Sequence, residues 1–130
     1  MAGDAVSRIL LMDDEELVQR IVARTLQRLG YQVAVAGEGG GAVSPYSQAL
    51  VNGFPFAAVI LDLTVPGGMG GCETLQQLRS LDPRVKAIAS SGYAVDSGLP
   101  GLGCSGFAAV LAKPYRPSDL ASTPESVLGH

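Results

Sequence analysis

The sequence predicts an α/β protein, a doubly wound three-layer (βα)5 sandwich whose parallel sheet has the strand order 2-1-3-4-5. Short apolar runs alternate with helix-like segments along the chain, which is the pattern of consecutive βαβ units with right-handed crossovers. The run Val59-Ile60-Leu61 before Asp62 is apolar throughout, as expected for a strand covered on both faces of a parallel sheet. At 130 residues with 47% hydrophobic content, the chain has the size of one domain with its own core.

The first half of the chain is predicted to contain three strands and two helices. The strands are predicted at 8–12, 31–36 and 56–61. The first helix follows the acidic run that starts at Asp13, and Gly30 ends it. Ser44-Pro45 is typical of an N-cap followed by proline at the first helical position, so the second helix should be short, covering 45–52. The core-facing stripe of the first helix is predicted to be Leu17, Val18, Ile21, Val22, Leu26 and Leu29.

The second half is predicted to contain two more strands and a regular third helix. The strands are predicted at 85–90 and 107–112. The third helix should begin at residue 71 or 72, bury Leu75 and Leu78, and run to Leu81. Asp82-Pro83 should end it, because the residue before a proline disfavours the helical conformation.

Glycines and prolines govern the rest of the predicted chain. Residues 94–105 should form a single turn or an irregular loop, because three glycines and Pro100 all disfavour a helix there. The last helix should begin near Pro117, and Pro124 should cut it short or split it. The predicted boundaries are an N-terminal tail at 1–7, the folded domain at 8–123, and a C-terminal tail or helix end at 124–130.

Composition argues against several classes of protein. A net charge of -3 gives no electrostatic reason to expect a nucleic acid partner. No apolar run approaches the ~18–20 residues that cross a bilayer, and no signal peptide is visible, so we expect a cytoplasmic domain without membrane contact. Cys72 and Cys104 lack metal-ligand spacing and are expected to be reduced thiols. The single histidine is His130, which argues against a histidine-based metal site or triad.

Polar side chains follow the ends of four predicted strands. In the order 2-1-3-4-5 the first and third strands are neighbours at the topological switch point, so three carboxylates should converge at one edge of the sheet. Clustered carboxylates repel one another, and Mg²⁺ would relieve the repulsion because it prefers oxygen ligands. The polar residues are Asp13 and Asp14 after the first strand, Asp62 at the third, Ser90 and Ser91 at the fourth, and Lys113 after the fifth.

These residue types together indicate phosphoryl transfer. A carboxylate nucleophile, Mg²⁺, a lysine and a hydroxyl are the groups needed to form an aspartyl phosphate. Each residue also has an ordinary interpretation: Asp13-Asp14 as a helix N-cap, Ser91-Gly92 as a turn, and Lys113 as a solvated strand end. Those interpretations are individually the more common ones, but their coincidence at one edge of one sheet favours the functional interpretation.

The chain resembles the receiver domains of bacterial two-component response regulators and hybrid histidine kinases, which have a flavodoxin-like fold. The resemblance covers about 8–120 and depends on four motifs. They are Leu11-Met12-Asp13-Asp14-Glu15, Ile60-Leu61-Asp62-Leu63-Thr64-Val65-Pro66-Gly67-Gly68-Met69-Gly70-Gly71, Ser90-Ser91-Gly92-Tyr93 and Lys113-Pro114-Tyr115. The Pro-Gly-Gly-Met-Gly-Gly loop is most similar to receivers attached to hybrid kinases.

The resemblance implies a role for each matching residue and a phosphohistidine donor on a histidine kinase or histidine phosphotransfer protein. The implied roles are Asp62 as phosphoacceptor and Mg²⁺ ligand, Asp14 as direct Mg²⁺ ligand, Asp13 as an acid acting through water, the Thr64 backbone carbonyl as the third protein ligand, Ser91 (or Ser90, after a slip of one) as switch hydroxyl, Lys113 as phosphoryl-binding residue and Pro114 as a cis-proline. It also implies self-catalysed phosphorylation and dephosphorylation, without a separate metabolic activity, in either a stand-alone regulator or part of a hybrid kinase.

Two departures from the family pattern concern how a signal would leave the domain. Val110 stands where many members have an aromatic residue that rotates on activation. The segment 94–105, in the usual output region, is rich in glycine and proline, and we hypothesise that phosphorylation orders it. Equal amide exchange there with and without a phosphate mimic would contradict this hypothesis.

Two alternative functions belong to other classes. Gly37-Glu38-Gly39-Gly40-Gly41-Ala42 matches a dinucleotide fingerprint, but a helix starting at Pro45 would not present its N-terminus to a pyrophosphate. That alternative also leaves Asp13, Ser91 and Lys113 unexplained. The second alternative is a phosphorylation-independent interaction module, which would keep the fold but not the switch.

Overall fold

The computed structural model describes residues 7–63, 70–91, 106–112 and 115–128. Nine elements follow one another in this part of the chain, with strands and helices alternating up to the fourth strand. They are β1 (Arg8–Met12), α1 (Glu16–Arg28), β2 (Gln32–Ala36), α2 (Gly39–Val51), β3 (Ala58–Asp62), α3 (Gly71–Leu81), β4 (Ala87–Ser91), β5 (Ala109–Ala112) and α4 (Pro117–Leu128). The strands form one sheet in the order β2-β1-β3-β4-β5. Every adjacent pair is parallel, which confirms the predicted fold class.

The core lies in two layers, one on each face of the sheet. Successive residues of a strand point to opposite faces. Leu10 and Met12 therefore join the cluster that α2 and α3 cover, while Ile9 and Leu11 join the cluster on the face of α1 and α4. All five residues of β3 are buried, as a central strand between two helical layers requires. This double coverage holds the carboxyl ends of β1 and β3 in fixed positions.

Helix α1 buries a narrower stripe than the sequence predicted. Val22 and Leu26 are fully buried and Val18 packs against them, whereas Leu17 and Ile21 are 69% and 53% exposed. Leu29 is also exposed, at 47%. The prediction failed because apolar residues cover more of the helix circumference than the sheet can cover. The predicted end is correct, since Gly30 follows the helix with φ of 101°.

Helix α2 begins six residues earlier than predicted. It starts at Gly39, and the carboxylate of Glu38 accepts hydrogen bonds from the amides of Gly40 and Gly41 at 2.8 and 2.9 Å. Pro45 lies inside the helix rather than at its first position. The helix spans this region because the capping carboxylate satisfies its first amides, and because Ala42, Tyr46 and Ala49 bury one continuous face.

The start of α2 at Gly39 also bears on dinucleotide binding. The glycines do lie at a helix N-terminus, contrary to the expectation that the helix begins after them. However, the carboxylate of Glu38 already occupies the amides that a pyrophosphate would need. The negative charge of Glu38 at this position would repel a phosphate.

Helix α4 continues to Leu128, so the expectation that Pro124 cuts it short or splits it is wrong. Pro124 is itself buried, and Leu120 and Val127 pack on the same side of the sheet. Packing of this face therefore outweighs the backbone cost of the proline. Helix α3 matches its prediction, with Leu75 and Leu78 buried and its C-cap at Asp82. The segment 94–105 lies outside the described residues.

Cys72 is disulfide-bonded, which contradicts its assignment as a reduced thiol. The other cysteine of the sequence, Cys104, lies outside the described residues. In the part of the chain that the structure describes, no helix is long and apolar enough to span a bilayer.

Candidate functional site: an acidic cluster at the carboxyl edge of the sheet

Three carboxylates lie together where β1 and β3 end. Asp13, Asp14 and Asp62 each offer an oxygen atom, and these atoms all lie within 4.8 Å of one another. Asp13 is fully buried, Asp62 is 3% exposed, and Asp14 faces solvent. The predicted convergence of these residues at the switch point is therefore present in the fold.

Backbone and side-chain hydrogen bonds fix Asp13 at the end of β1. Its amide donates to the carbonyl of Ala36 at 3.0 Å, which extends the pairing of β1 with β2 by one residue. Its Oδ1 accepts from the amide of Glu15 at 2.9 Å, an Asx turn that leads the chain into α1. The side-chain amide of Gln19 donates to the backbone carbonyl of Asp13. Asp13 is thus held from both the sheet and the helix.

The position of Asp62 depends on β4 and on two glycines. Asp62 is the last residue of β3 and pairs with Ser90, and the amide of Leu63 donates to the carbonyl of Ser90 at 3.0 Å. A Cβ atom on Gly70 would lie 2.7 Å from the carbonyl oxygen of Leu63, and one on Gly71 would lie 2.9 Å from that of Asp62. Only glycine lets the start of α3 approach the end of β3 so closely.

A polar contact beside the cluster was not predicted from the sequence. Ser90 is fully buried, and its hydroxyl group is hydrogen-bonded to the hydroxyl group of Tyr115. The sequence offered a weak signal for this pair, namely a second serine beside Ser91 and a tyrosine after Lys113-Pro114. Ser90, considered above as a possible switch hydroxyl, is therefore already engaged in a contact with Tyr115.

The remaining predicted site residues are only partly described. Ser91 is the last residue of β4 and pairs with Ala112 of β5, although its side chain lies outside the described atoms. Thr64, Lys113 and Pro114 lie outside the described residues. Their predicted roles therefore stay predictions.

The donor set of the cluster fits a hard divalent cation. All three groups supply carboxylate oxygens, the ligand type that Mg²⁺ prefers. Two of the carboxylates are buried, where like charges repel more strongly than in water, and a cation would neutralise them. Exposure of Asp14 leaves one side open to solvent, which suits an ion that retains several water ligands.

The fold and the acidic cluster define a doubly wound α/β domain with a candidate cation site at its topological switch point. More specifically, the chain belongs to the response regulator receiver domains of two-component systems, whose family model matches residues 9–124. This result confirms the resemblance found in the sequence motifs.

Individual relatives include both short regulators and large kinases. The response regulator receiver protein CpdR of Brucella abortus (strain 2308) is 28% identical over 95% of this chain and 98% of CpdR. The sensor kinase CckA of the same organism is 32% identical over 98% of this chain, which corresponds to 13% of the kinase. The chain therefore matches one relative along nearly its full length and another only over a small part.

A solved structure with the same fold is the receiver domain of the sensor histidine kinase PA1611 from Pseudomonas aeruginosa PAO1. It superposes with a TM-score of 0.82 at 24% identity and covers 96% of this chain and 99% of that domain. That structure has a magnesium ion coordinated in its active-site cleft. At this identity the similarity establishes the shared fold.

Proposed function

We propose that this receiver domain takes a phosphoryl group onto Asp62, with Mg²⁺ bound, from the phosphohistidine of a histidine kinase or histidine phosphotransfer protein. The observation that carries the proposal is the buried Asp62 within 4.8 Å of the carboxylates of Asp13 and Asp14. A nucleophile that must accept a dianionic group needs a cation to reduce the repulsion, and this cluster supplies its ligands.

The proposed reaction forms one bond and breaks one. An oxygen of Asp62 attacks phosphorus, the phosphorus–nitrogen bond of the phosphohistidine breaks, and the departing imidazole takes up a proton. Asp14 and Asp62 would bind Mg²⁺ directly, Asp13 would act through a water ligand, and the Thr64 carbonyl would be the third protein ligand. When bound, Mg²⁺ would neutralise charge on the phosphoryl oxygens.

Two more residues would act on the phosphoryl group, and both assignments depend on the family motifs. Lys113 would pair with a phosphoryl oxygen, and the Ser91 hydroxyl would donate to another. Ser91 is the last residue of β4, and it ends that strand at the same edge of the sheet at which Asp62 ends β3, which supports this assignment. Pro114 is proposed as the cis-proline. Phosphorylation would then switch a protein-interaction surface.

Exposed apolar residues on α1 support docking of the phosphodonor protein close to Asp62. Leu17 and Ile21 are largely exposed and lie one turn apart near the start of the helix that follows Asp13 and Asp14. A donor that brings its phosphohistidine to Asp62 must pack beside this end of α1.

A histidine kinase is phosphorylated with ATP as the phosphoryl donor, so we also propose that the domain works in the cytoplasm.

Intact-protein mass after incubation with acetyl phosphate and Mg²⁺ tests the proposal. We expect the wild type to gain one phosphoryl group, and the gain to disappear when Mg²⁺ is chelated. Asp62→Asn should gain nothing, while Asp119→Asn, which changes a carboxyl group on α4, should behave as the wild type. A wild type that gains no mass and binds no Mg²⁺ would overturn the proposal and favour a phosphorylation-independent interaction module.

A further inference from the structure

The hydrogen bond between Ser90 and Tyr115 is a buried polar contact that the proposed function does not use. Ser90 is fully buried, and Tyr115 is partly buried against the apolar cluster on the face of α1 and α4. Burying two hydroxyl groups costs free energy unless they are hydrogen-bonded, a requirement that this contact meets. An alanine and a phenylalanine would fill much the same space without that requirement. The pair therefore calls for an explanation beyond packing.

The register of the sheet places this contact beside Asp62. Asp62 and Ser90 are direct partners in the pairing of β3 with β4. Ile60 and Ile88, two residues earlier on each strand, belong to the cluster that Tyr115 covers. Because side chains alternate along a strand, Asp62 and Ser90 lie on that same face. The two hydroxyl groups therefore lie beside the acidic cluster rather than elsewhere in the core.

The contact also joins Ser90, near the end of β4, to a residue beyond the last backbone pair of β4 and β5. That pair is Ser91 with Ala112. Lys113 follows Ala112 directly, and Tyr115 lies two residues after Lys113 and two before α4 begins at Pro117. The side-chain contact between Tyr115 and Ser90 thus holds Tyr115 against the end of β4.

We propose that Tyr115, acting through Ser90, is a positioning residue for phosphoryl transfer to Asp62. This inference depends on the proposed function of Asp62. The contact ties Tyr115 to Ser90, the register partner of Asp62, so that its loss would let β4 shift beside the phosphoacceptor. Such a displacement, by a fraction of an ångström, lowers a rate without removing any ligand of the cation. The effect should therefore be kinetic.

The test compares Tyr115→Phe, Ser90→Ala and the double variant, with acetyl phosphate as donor. Each single variant removes the hydrogen bond and keeps most of the packing. We expect the maximal phosphorylation rate to fall about fivefold, the rate equivalent of one ordinary hydrogen bond of ~1 kcal/mol. The Kd for Mg²⁺ should change by less than about twofold, because no ligand of the cluster is altered. The double variant should be no slower than either single variant, since both remove the same contact.

Tyr31→Phe is the matched control. Tyr31 packs against the same apolar cluster but precedes β2, at the opposite edge of the sheet from Asp62. Its substitution should leave the phosphorylation rate unchanged. Wild-type rates in both Tyr115→Phe and Ser90→Ala, or strictly additive effects in the double variant, would overturn the positioning role and leave the proposed function intact. A wild type without phosphorylation would overturn both. If Ser90→Ala fails to fold, Tyr115→Phe, which keeps its ring, still decides the result.

Discussion

Gly71 lies directly against the backbone of Asp62, so that a Cβ atom at position 71 would stand 2.9 Å from the carbonyl oxygen of Asp62. The nearest obstacle is backbone at the end of a buried strand, which has little freedom to move. We expect Gly71→Ala to lower the free energy of unfolding by about 1–3 kcal/mol, the usual cost of overpacking, and to weaken Mg²⁺ binding by shifting Asp62. Urea unfolding with and without Mg²⁺ measures both effects.

Gly37→Ala is the control for this substitution. Gly37 follows β2 at the same edge of the sheet, has no atom within 4 Å of an added Cβ, and does not need a positive φ. The free energy of unfolding of the Gly37→Ala variant should equal that of the wild type or exceed it by a few tenths of a kcal/mol, because alanine reduces the entropy of the unfolded chain. Equal stabilities for the two variants would contradict the close approach of Gly71 to Asp62.

Removing one charge from the acidic cluster should stabilise the domain without Mg²⁺ and destabilise it, relative to the wild type, with Mg²⁺ bound. Two unit charges 4 Å apart at an effective dielectric of 20 repel by about 4 kcal/mol, so the metal-free domain stores part of that repulsion. We expect Asp62→Asn to raise the free energy of unfolding by about 1 kcal/mol without Mg²⁺. At 100 times its Kd, Mg²⁺ should stabilise the wild type by about 2.7 kcal/mol and the variant by much less. Thermal unfolding in EDTA and in Mg²⁺ measures the reversal.

Asp14 and Asp62 should respond differently in this experiment because they differ in burial. Asp14 is exposed, so Asp14→Asn should raise the metal-free stability less than Asp62→Asn does. Glu73→Gln, on an exposed residue at the start of α3, should leave the stability nearly unchanged both without and with Mg²⁺. A metal-free Asp62→Asn that is less stable than the wild type would show that the three carboxylates do not repel one another as the geometry requires.

The parts of the fold that the sequence predicted correctly are those set by long, uniform patterns. A uniformly apolar run such as Val59-Ile60-Leu61 is typical of a strand in a parallel sheet that helices cover on both faces. The carboxylate of Asp62, which ends this strand, then lies at the carboxyl edge of the sheet. The parallel order brings Asp13 to Asp62 without any knowledge of side-chain contacts. The fold and the acidic cluster therefore follow from sequence periodicity and topology.

The failures occurred where a tertiary contact overruled a local preference. A helix that begins Gly39-Gly40-Gly41 has poor intrinsic propensity, and the Glu38 carboxylate and the buried Tyr46 stabilise it instead. The hydrogen bond between Ser90 and Tyr115 joins residues 25 positions apart, which no local pattern reveals. Such contacts become visible only when the register of the strands is known.

Because the pKa of Tyr46 is raised in the folded state, we expect the domain to lose stability at alkaline pH. Burial, the hydrogen bond that its hydroxyl donates to Asp82 at 2.7 Å, and the charge of Asp82 raise the pKa of Tyr46 above its usual range. The folded state therefore keeps a proton that the unfolded chain releases near pH ~10, and the free energy of unfolding falls as pH rises above that value. Tyr46→Phe should flatten this fall and lower stability at neutral pH by about 1 kcal/mol, the value of the lost hydrogen bond.

Urea unfolding at several pH values between about 8 and 11 measures this slope, and tyrosinate absorbance follows the titration itself. Tyr31 is the comparison, because burial and the charge of Glu125 raise its pKa as well, but a hydrogen bond to a carboxylate is not among the causes. Tyr31→Phe should therefore flatten the slope less than Tyr46→Phe does. Identical slopes in wild type and Tyr46→Phe would contradict the assignment.

Removing the Glu38 carboxylate, which caps the N-terminus of α2, should lower the stability of the domain. Glu38 accepts from the amides of Gly40 and Gly41, which would otherwise depend on water, and its charge suits the positive end of the helix dipole. We expect Glu38→Ala to lower the free energy of unfolding by about 1 kcal/mol, the usual value of a cap, and to increase amide exchange in the first turn of α2. Glu38→Asp keeps an acceptor and should recover most of the loss. Equal amide exchange in Glu38→Ala and wild type would mean that packing of Ala42 and Tyr46 alone sets where this helix begins.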